Sequence, residues 1–139
     1  MAAALALCLA LAGDPAGAAP ARATVLPAAT ATLAWTHSIE KIRWEEDWRV
    51  DNGSLRVVSA RVRGTGAGME PPPDARFRDG VWHYQPAVAA QKEVRLAHSP
   101  YVAGYELCLP QGCRPLAEWL PGLPESTTIV LSACRNDAE

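Results

Sequence analysis

The chain has 139 residues, of which 49% are hydrophobic and 20% are charged, and its formal net charge at pH 7 is -2. This length predicts one domain with a hydrophobic core of its own. The near-neutral charge gives no sign of the strongly basic surface that binding to nucleic acid or to an acidic membrane requires.

The first 23 residues have the composition of a secretory signal peptide. An apolar run over residues 2–12 is followed by a stretch rich in Ala, Gly and Pro, with small-x-small sites that end at Ala18 and Ala23. The run is shorter than the roughly 20 residues that span a bilayer, and no Lys or Arg precedes it. The pattern predicts a signal peptide over residues 1–23 and a single exported β domain over residues 24–139, periplasmic or secreted. The alternative is that the run forms a buried N-terminal helix of the domain.

Three cysteines follow that segment, and two of them flank a short turn. Cys108 and Cys113 stand on either side of Leu-Pro-Gln-Gly, so in a hairpin they face each other at a separation that a disulfide can span. Export favours oxidation to the disulfide. The pair also fits half of a zinc site, although no second Cys or His pair at ligand spacing accompanies it. Cys134 is left over at the end of an apolar run, and we interpret it as a buried free thiol.

The rest of the chain has the pattern of short strands separated by turn residues. Apolar alternation predicts strands over residues 33–39, 42–50, 55–62, 81–84, 94–98, 101–109 and 127–134. Tight turns are predicted at residues 51–53 and 78–80, and one short helix is predicted to begin at Pro115 and to end before Gly122. These elements predict an all-β fold: a compact antiparallel sandwich or barrel of about seven short strands with one short helix.

One carboxylate stands on the apolar face of the strand over residues 42–50. Alternate side chains of a strand share a face. The apolar face carries Ile42, Trp44, Glu46, Trp48 and Val50, and the solvated face carries Arg43, Glu45, Asp47 and Arg49. An unpaired Glu46 between two tryptophans would be costly, so the sequence predicts either a partner or a function for this carboxylate.

The predicted partner of Glu46 is His37. If residues 40 and 41 form the preceding turn, alone or with residues 39 and 42, then Trp35 faces Glu46 and His37 faces Trp44. His37 and Glu46 are then diagonal neighbours, roughly 7 Å apart at the backbone. We interpret them as a buried ion pair. The alternative is that they serve as an acid and a base in catalysis.

The turn at residues 51–53 decides which residues of the next strand share a face with Glu46. A two-residue turn at residues 52 and 53 places Ser59 opposite Glu46. A three-residue turn that includes residue 51 instead brings residues 58, 60 and 62 onto that face. We expect the three-residue turn because it matches apolar residues with apolar residues.

The segment over residues 64–75, GTGAGMEPPPDA, has the composition of an irregular loop. Its glycines resemble part of a phosphate-binding loop, but the Lys-Ser/Thr end and the following helix are missing. Irregular loops often carry binding residues, so Met69 and Glu70 are predicted to contact a ligand. The three histidines, at positions 37, 83 and 98, lack the local spacing of zinc ligands, and no metal or cofactor is expected.

Three stretches together resemble a known family. They are WTHSIEKIRWEEDWRV from Trp35, GTGAGMEPPPDARFRDGVWHY up to Tyr84, and YELCLPQGCRPL up to Leu116. Over about residues 35–120 the chain resembles the small exported bacterial proteins of domain of unknown function eighteen-fifty. The resemblance implies that such a protein is encoded beside a TAXI-type TRAP transporter, which pairs an extracytoplasmic solute-binding protein with membrane subunits. It implies no catalytic residues.

Two functions from different classes follow. The first is an exported, non-enzymatic accessory or binding domain of a TAXI-type TRAP transporter, which binds a small solute or docks on the solute-binding protein or the membrane subunits. The predicted binding residues are His37, Trp44, Glu46, Trp48, Met69 and Glu70. The second is a small hydrolase or transferase that uses His37 and Glu46 as an acid-base pair, although no Ser or Cys nucleophile stands in a recognisable motif. No nucleic acid is expected as a partner, and the processed chain is not integral to the membrane.

Overall fold

The strands of the protein form two antiparallel sheets that pack face to face. The computed structural model describes residues 4–12, 24–36, 42–63, 73–101, 104–120 and 122–136. The elements are β1 (Ala4–Leu11), β2 (Thr24–Leu26), β3 (Thr30–Thr36), β4 (Arg43–Asp51), β5 (Ser54–Arg63), β6 (Arg76–Arg78), β7 (Val81–Tyr84), β8 (Glu93–His98), β9 (Glu106–Leu109), β10 (Gly112–Pro115), α1 (Leu116–Trp119) and β11 (Thr127–Asn136). No helix among these residues is long and apolar enough to cross a membrane.

The two sheets differ in size. The smaller sheet has four strands in the order β2-β1-β11-β8, and the larger has seven in the order β10-β9-β3-β4-β5-β7-β6. The predicted all-β antiparallel sandwich with one short helix is therefore confirmed, and the described strands close no barrel. More strands form than the sequence predicted, because β1, β2, β6 and β10 lack a long apolar alternation flanked by turns or lie in segments assigned to other roles.

The hydrophobic core lies between the two sheets. Leu7, Leu9 and Leu131 of the smaller sheet are fully buried, as are Leu33 and Leu107 of the larger sheet. We call the face of the larger sheet that carries Leu33 and Leu107 the inner face, and the opposite face the outer face. No charged side chain is buried among the described residues.

Residues 4–11 are part of this core. β1 pairs with β11 over its whole length and with β2 on its other side, because Leu alternates with a small residue along ALALCLAL and gives the segment one apolar face. The predicted alternative of a buried N-terminal helix is wrong. Cleavage after residue 23 stays a prediction, and it would remove the strand between β2 and β11.

Both cysteine pairs form disulfides. Cys113 lies opposite Cys108 in the β9–β10 hairpin and is bonded to it, as predicted, which excludes the zinc half-site. Cys134 is bonded to Cys8 of β1. The interpretation of Cys134 as a free thiol is therefore wrong, and it was wrong because Cys8 was assigned to a segment outside the domain.

The β4–β5 hairpin differs from the expected one in its turn and in the position of Val58, which is not on the face of Glu46. Asp51 pairs with Ser54, so the loop has two residues, Asn52 and Gly53, with φ of 52° and 79°. Two left-handed residues in succession match the turn that best fits the twist of a hairpin. The expected three-residue turn is therefore wrong, whereas the tight turn predicted at residues 78–80 is confirmed by the φ of 52° at Asp79.

A bulge in β5 restores the apolar match. Asp47 lies opposite Ser59, but the next residue, Trp48, lies opposite Val57, so β5 contains one extra residue, Val58. As a result Ala60 lies opposite Glu46 and Val62 opposite Trp44, so these two residues are on the face of Glu46 that was predicted for them. Val58 lines the outer face instead.

Candidate functional site

Aromatic side chains form a row across the inner face of the larger sheet. Side chains directly opposite each other on neighbouring strands share a face. We call the following residues the aromatic row, in the order of their strands: Phe77, Trp82, Trp44, Trp35 and Tyr105, with Val62 between Trp82 and Trp44. At the usual spacing of neighbouring strands, the row extends over about 24 Å.

The rings of the row touch in pairs. The ring centroids of Trp35 and Trp44 are 6.1 Å apart with nearly parallel planes. Those of Trp35 and Tyr105 are 5.7 Å apart and those of Phe77 and Trp82 are 5.0 Å apart, both tilted. Offset and tilted pairs at these separations are the favourable arrangements for aromatic rings, so ring contacts stabilise each of the two groups of the row on either side of Val62.

Glu46 lies beside this row, on the same face. It pairs with Leu33 on β3 and with Ala60 on β5, and its Oε1 accepts a hydrogen bond of 3.3 Å from Nε1 of Trp48. Burial raises the pKa of Glu46, although the Trp48 hydrogen bond acts in the opposite direction. None of the ion pairs between described residues includes Glu46.

Two tyrosines stand near the Glu46 carboxylate. Tyr84 lies across Ala60 from Glu46, and Tyr105 contacts Trp35 at the end of the row. Burial raises the pKa of both phenols, and the negative charge of Glu46 raises it further. Glu46 therefore places one negative charge among aromatic rings, where few polar groups shield it.

The aromatic row extends beyond the part of the inner face that the smaller sheet covers. Trp48 belongs to the buried core, and Trp35 and Tyr105 pack against its margin. Trp44, Trp82, Tyr84 and Phe77 are outside the core cluster, and Phe77 is 51% exposed. The buried Nε1 of Trp82 has no hydrogen-bond acceptor among the described residues. Trp44, Trp82 and Tyr84 are half-buried, and apolar groups exposed beyond a core are candidates for an interaction site.

The predicted site residues have different outcomes. Trp44 and Glu46 lie together on the inner face as predicted, whereas Trp48 is 5% exposed and is mainly a core residue. The predicted register of the first hairpin is wrong by two residues, because Trp35 faces Trp44 and Leu33 faces Glu46. His37, Met69 and Glu70 lie outside the described residues, and the predicted contact of His37 with Glu46 loses the register on which it was based.

Four residues of this site were missed by the sequence analysis: Phe77, Trp82, Tyr84 and Tyr105. VWHY was predicted as a strand, and its alternation already put Trp82 and Tyr84 on one face. Only the pairing of β5 with β7 places that face beside Glu46, and strand order cannot be read from a short apolar pattern.

The outer face carries a network of ion pairs. Arg61 donates from Nη1 and Nη2 to the two oxygens of Asp47, at 2.8 and 2.9 Å, and from Nε to Glu45 at 2.9 Å. Thr32 and Ser59 also donate to Asp47. Arg61 holds the pKa of Asp47 well below its usual range, and the hydrogen bonds to Asp47 and Glu45 raise that of Arg61.

This network continues towards the edge of the sheet through Arg43. Arg43 donates to Glu45 and to Glu106 at 2.9 Å. Burial alone would raise the pKa of Glu45, but the hydrogen bonds from Arg61 and Arg43 outweigh it and lower that pKa. These bonds join β4, β5 and β9 on the solvated side, which explains the charged face predicted for residues 43–49.

No metal site is built by the described residues. Glu106, Cys108 and Cys113 have their polar atoms within 4.8 Å of one another, but both sulfurs are in the disulfide and no thiolate remains. His83 lies on the larger sheet and His98 ends a strand of the smaller sheet. A groove of about 480 Å³ on the outer face, lined by Thr32, Asp47 and Val58 among others, has no convergent catalytic groups.

Comparison with known proteins identifies a family but no characterised relative. Neither a curated protein nor a solved structure shows significant similarity to the chain. Residues 31–116 match the model of the family described as Domain of unknown function (DUF1850). The match extends from β3 to the start of α1 and includes Glu46, the whole aromatic row and the Cys108–Cys113 hairpin. It covers more than half of the chain, and the protein therefore belongs to this family.

Proposed function

We propose that the protein is an exported, non-enzymatic binding domain that assists a TAXI-type TRAP transporter, and that it binds through the aromatic row and Glu46. The observation that carries the proposal is the row itself, which continues past the core on a face that the smaller sheet leaves partly uncovered. The expected partner is the extracytoplasmic solute-binding protein or a membrane subunit of the transporter.

The chemistry of this face indicates which chemical groups of the partner contact it. Aromatic side chains supply contact area at a low cost in conformational entropy, which is why they dominate binding hot spots. The Glu46 carboxylate has no cationic partner among the described residues, so a cationic or hydrogen-bond-donating group of the partner fits beside it. Aromatic faces also attract cations directly. We therefore expect the partner to place Arg or Lys side chains against Trp44.

The alternative function, a hydrolase or transferase, needs an acid-base pair. The raised pKa of Glu46 suits a general acid. The pairing of His37 with Glu46 was predicted from a β3–β4 register that differs from the observed one. His83 is on the outer face, on the other side of the sheet from Glu46. The binding function thus has the stronger geometric support.

The experiment is a binding assay between the purified chain and a purified TAXI-type solute-binding protein and membrane subunits from the same organism. The test variant is Trp44→Leu, which removes the centre of the row. The matched control is Tyr101→Leu, which removes an aromatic side chain that is 89% exposed and outside the row. Thermal unfolding of both variants is measured to check that each is folded.

We expect wild type and Tyr101→Leu to bind with the same affinity and Trp44→Leu to bind at least tenfold more weakly. Glu46→Gln should also weaken binding and should reduce its dependence on salt. Equal binding by all variants would show that the interface does not include the row. Absence of any association between the wild-type chain and the transporter components would remove the proposal.

A further inference from the structure

A group of arginines lies on the outer face, on the opposite side of the larger sheet from the aromatic row. His83 of β7 lies opposite Arg61 on one side and Arg76 on the other. Val81, two residues earlier, lies opposite Arg63 and Arg78. We call the set Arg61, Arg63, Arg76 and Arg78 the arginine patch. Its four arginines are on the two strands that flank β7, opposite Val81 and His83.

Most of the positive charge of the patch is not compensated by any of the described residues. Arg63, Arg76 and Arg78 are exposed and take part in none of the ion pairs between described residues. The nearest acidic groups among the described residues either bind other groups already or lie at the margin of the patch. Glu45 and Asp47 bind Arg61, Asp74 accepts the backbone N–H of Gln85, and Asp79 is in the turn after Arg78. The net charge of -2 for the whole chain hides this local excess.

A groove adjoins the patch on the same face. It has a volume of about 140 Å³ and is lined by Arg43, Glu45, Arg61, Arg63, Val81 and His83. At the volume that a water molecule takes in the liquid, this is space for about five waters, which is enough for one phosphate group with part of its hydration shell. Of the lining side chains, three are arginines and one is acidic.

One arginine of the groove is held in place before any ligand arrives. Arg61 is fixed by three hydrogen bonds to Glu45 and Asp47, and a guanidinium has further N–H donors beyond those three. Because its side chain is already ordered, a ligand does not have to order it, which lowers the cost of binding. The planar fork of a guanidinium matches the oxygens of a phosphate.

We propose that this groove, together with the arginine patch, binds a phosphate group. A phosphate monoester carries close to two negative charges near neutral pH and three acceptor oxygens, which fit the guanidinium charges and N–H donors of the arginines beside His83. Two sources bring a phosphate group to an exported protein: a free phosphorylated solute, as a monoester, or the headgroups of an anionic membrane, as a phosphodiester with a single negative charge. The site is on the face opposite the aromatic row and does not depend on the function proposed for that row.

The test uses the full chain and two probes. Inorganic phosphate is titrated by isothermal calorimetry and by NMR of the His83 ring, with sodium chloride added to keep ionic strength constant. Vesicles of phosphatidylglycerol are compared with vesicles of phosphatidylcholine in a sedimentation assay. The site variants are Arg63→Gln and Arg76→Gln, and the control is Arg95→Gln, which makes the same charge change on β8 of the smaller sheet.

We expect saturable binding of phosphate with a shift of the His83 signal, weakened about tenfold by each site variant and unchanged by the control. Sedimentation with phosphatidylglycerol vesicles that is lost in the same variants assigns the lipid headgroup as the source, and phosphate binding without sedimentation assigns a free solute. Absence of phosphate binding overturns the proposal. An equal loss in Arg95→Gln also overturns it, because the effect would then come from net charge alone.

Discussion

The substitution Leu9→Ala tests whether residues 4–11 belong to the fold. Leu9 is in the middle of β1, lies opposite Leu131 of β11, and is fully buried, as is Leu131. A signal peptide that is removed or unfolded would contribute nothing to stability at this position. A core strand would contribute as much as any buried leucine.

The expected loss follows from burial and the cavity that remains. Replacing a fully buried Leu by Ala costs about 2 to 5 kcal/mol, and Leu9, with a buried neighbour on β11, should cost about 3 kcal/mol. A domain of this size loses roughly 3 °C of Tm per kcal/mol, so we expect Tm to fall by about 10 °C. Such a loss is a large fraction of the stability of an ordinary domain, which is about 5 to 15 kcal/mol.

The assay is urea unfolding of the full chain, monitored by tryptophan fluorescence. The control is Val25→Ala on β2, because Val25 belongs to the same sheet but is 47% exposed; its cost should stay below about 1 kcal/mol. If Leu9→Ala and Val25→Ala have equally small effects, β1 is not part of the stable fold. The signal-peptide prediction for residues 1–23 would then be strengthened.

Three further predictions concern the disulfides, the outer face and Glu46. Cys134→Ser should lower the free energy of unfolding by about 5 kcal/mol and Cys113→Ser by about 2 kcal/mol in the loop-entropy treatment. The reason is that the two disulfides close loops with sequence separations of 126 and 5 residues. Equal losses in urea unfolding would contradict this order. Arg61→Met should cost about 1 to 2 kcal/mol, reduced from a buried pair by its partial exposure, whereas Arg95→Met, whose pair with Glu93 is mostly exposed, should cost less than about 0.5 kcal/mol. Because burial raises the pKa of Glu46 above 4.5, the wild type should lose stability relative to Glu46→Gln as pH rises from 4.5 through the pKa of the folded state. A wild type that gains stability relative to Glu46→Gln over this range in calorimetry would refute it.

The sequence predicted the fold class because its signals are local. Alternation marked the strands β4, β5, β7, β8 and β11, and Asn52-Gly53 and Asp79-Gly80 marked two hairpins. The separation of Trp44 and Glu46 from Arg43 and Glu45 follows from the period of a strand alone. These features need no knowledge of which strands are neighbours.

What the sequence left open or assigned wrongly depends on pairing over longer distances. In the β3–β4 register Thr36 pairs with Arg43, and no turn motif in the sequence between them fixes that register. The β5 bulge at Val58 changes the effect of the Asn52-Gly53 turn, and a bulge has no reliable sequence signal. The composition of residues 1–23 outweighed the alternation of Leu7, Leu9 and Leu11, so Cys134 was left without its partner. The aromatic row depends on the pairing of β5 with β7, which is a tertiary feature.

The most direct test of the binding face uses the five tryptophans of the chain as separate probes. The chain is labelled with 5-fluorotryptophan, and its ¹⁹F NMR signals are followed as unlabelled TAXI-type solute-binding protein or transporter subunit is added. Trp119 is the internal reference, since its Nε1 donates to the Leu107 carbonyl and Arg114 lies over its ring. We predict that the signals of Trp44 and Trp82 shift while that of Trp119 does not. A complex in which Trp119 shifts and Trp44 and Trp82 do not would contradict the assignment of the aromatic row as the binding surface.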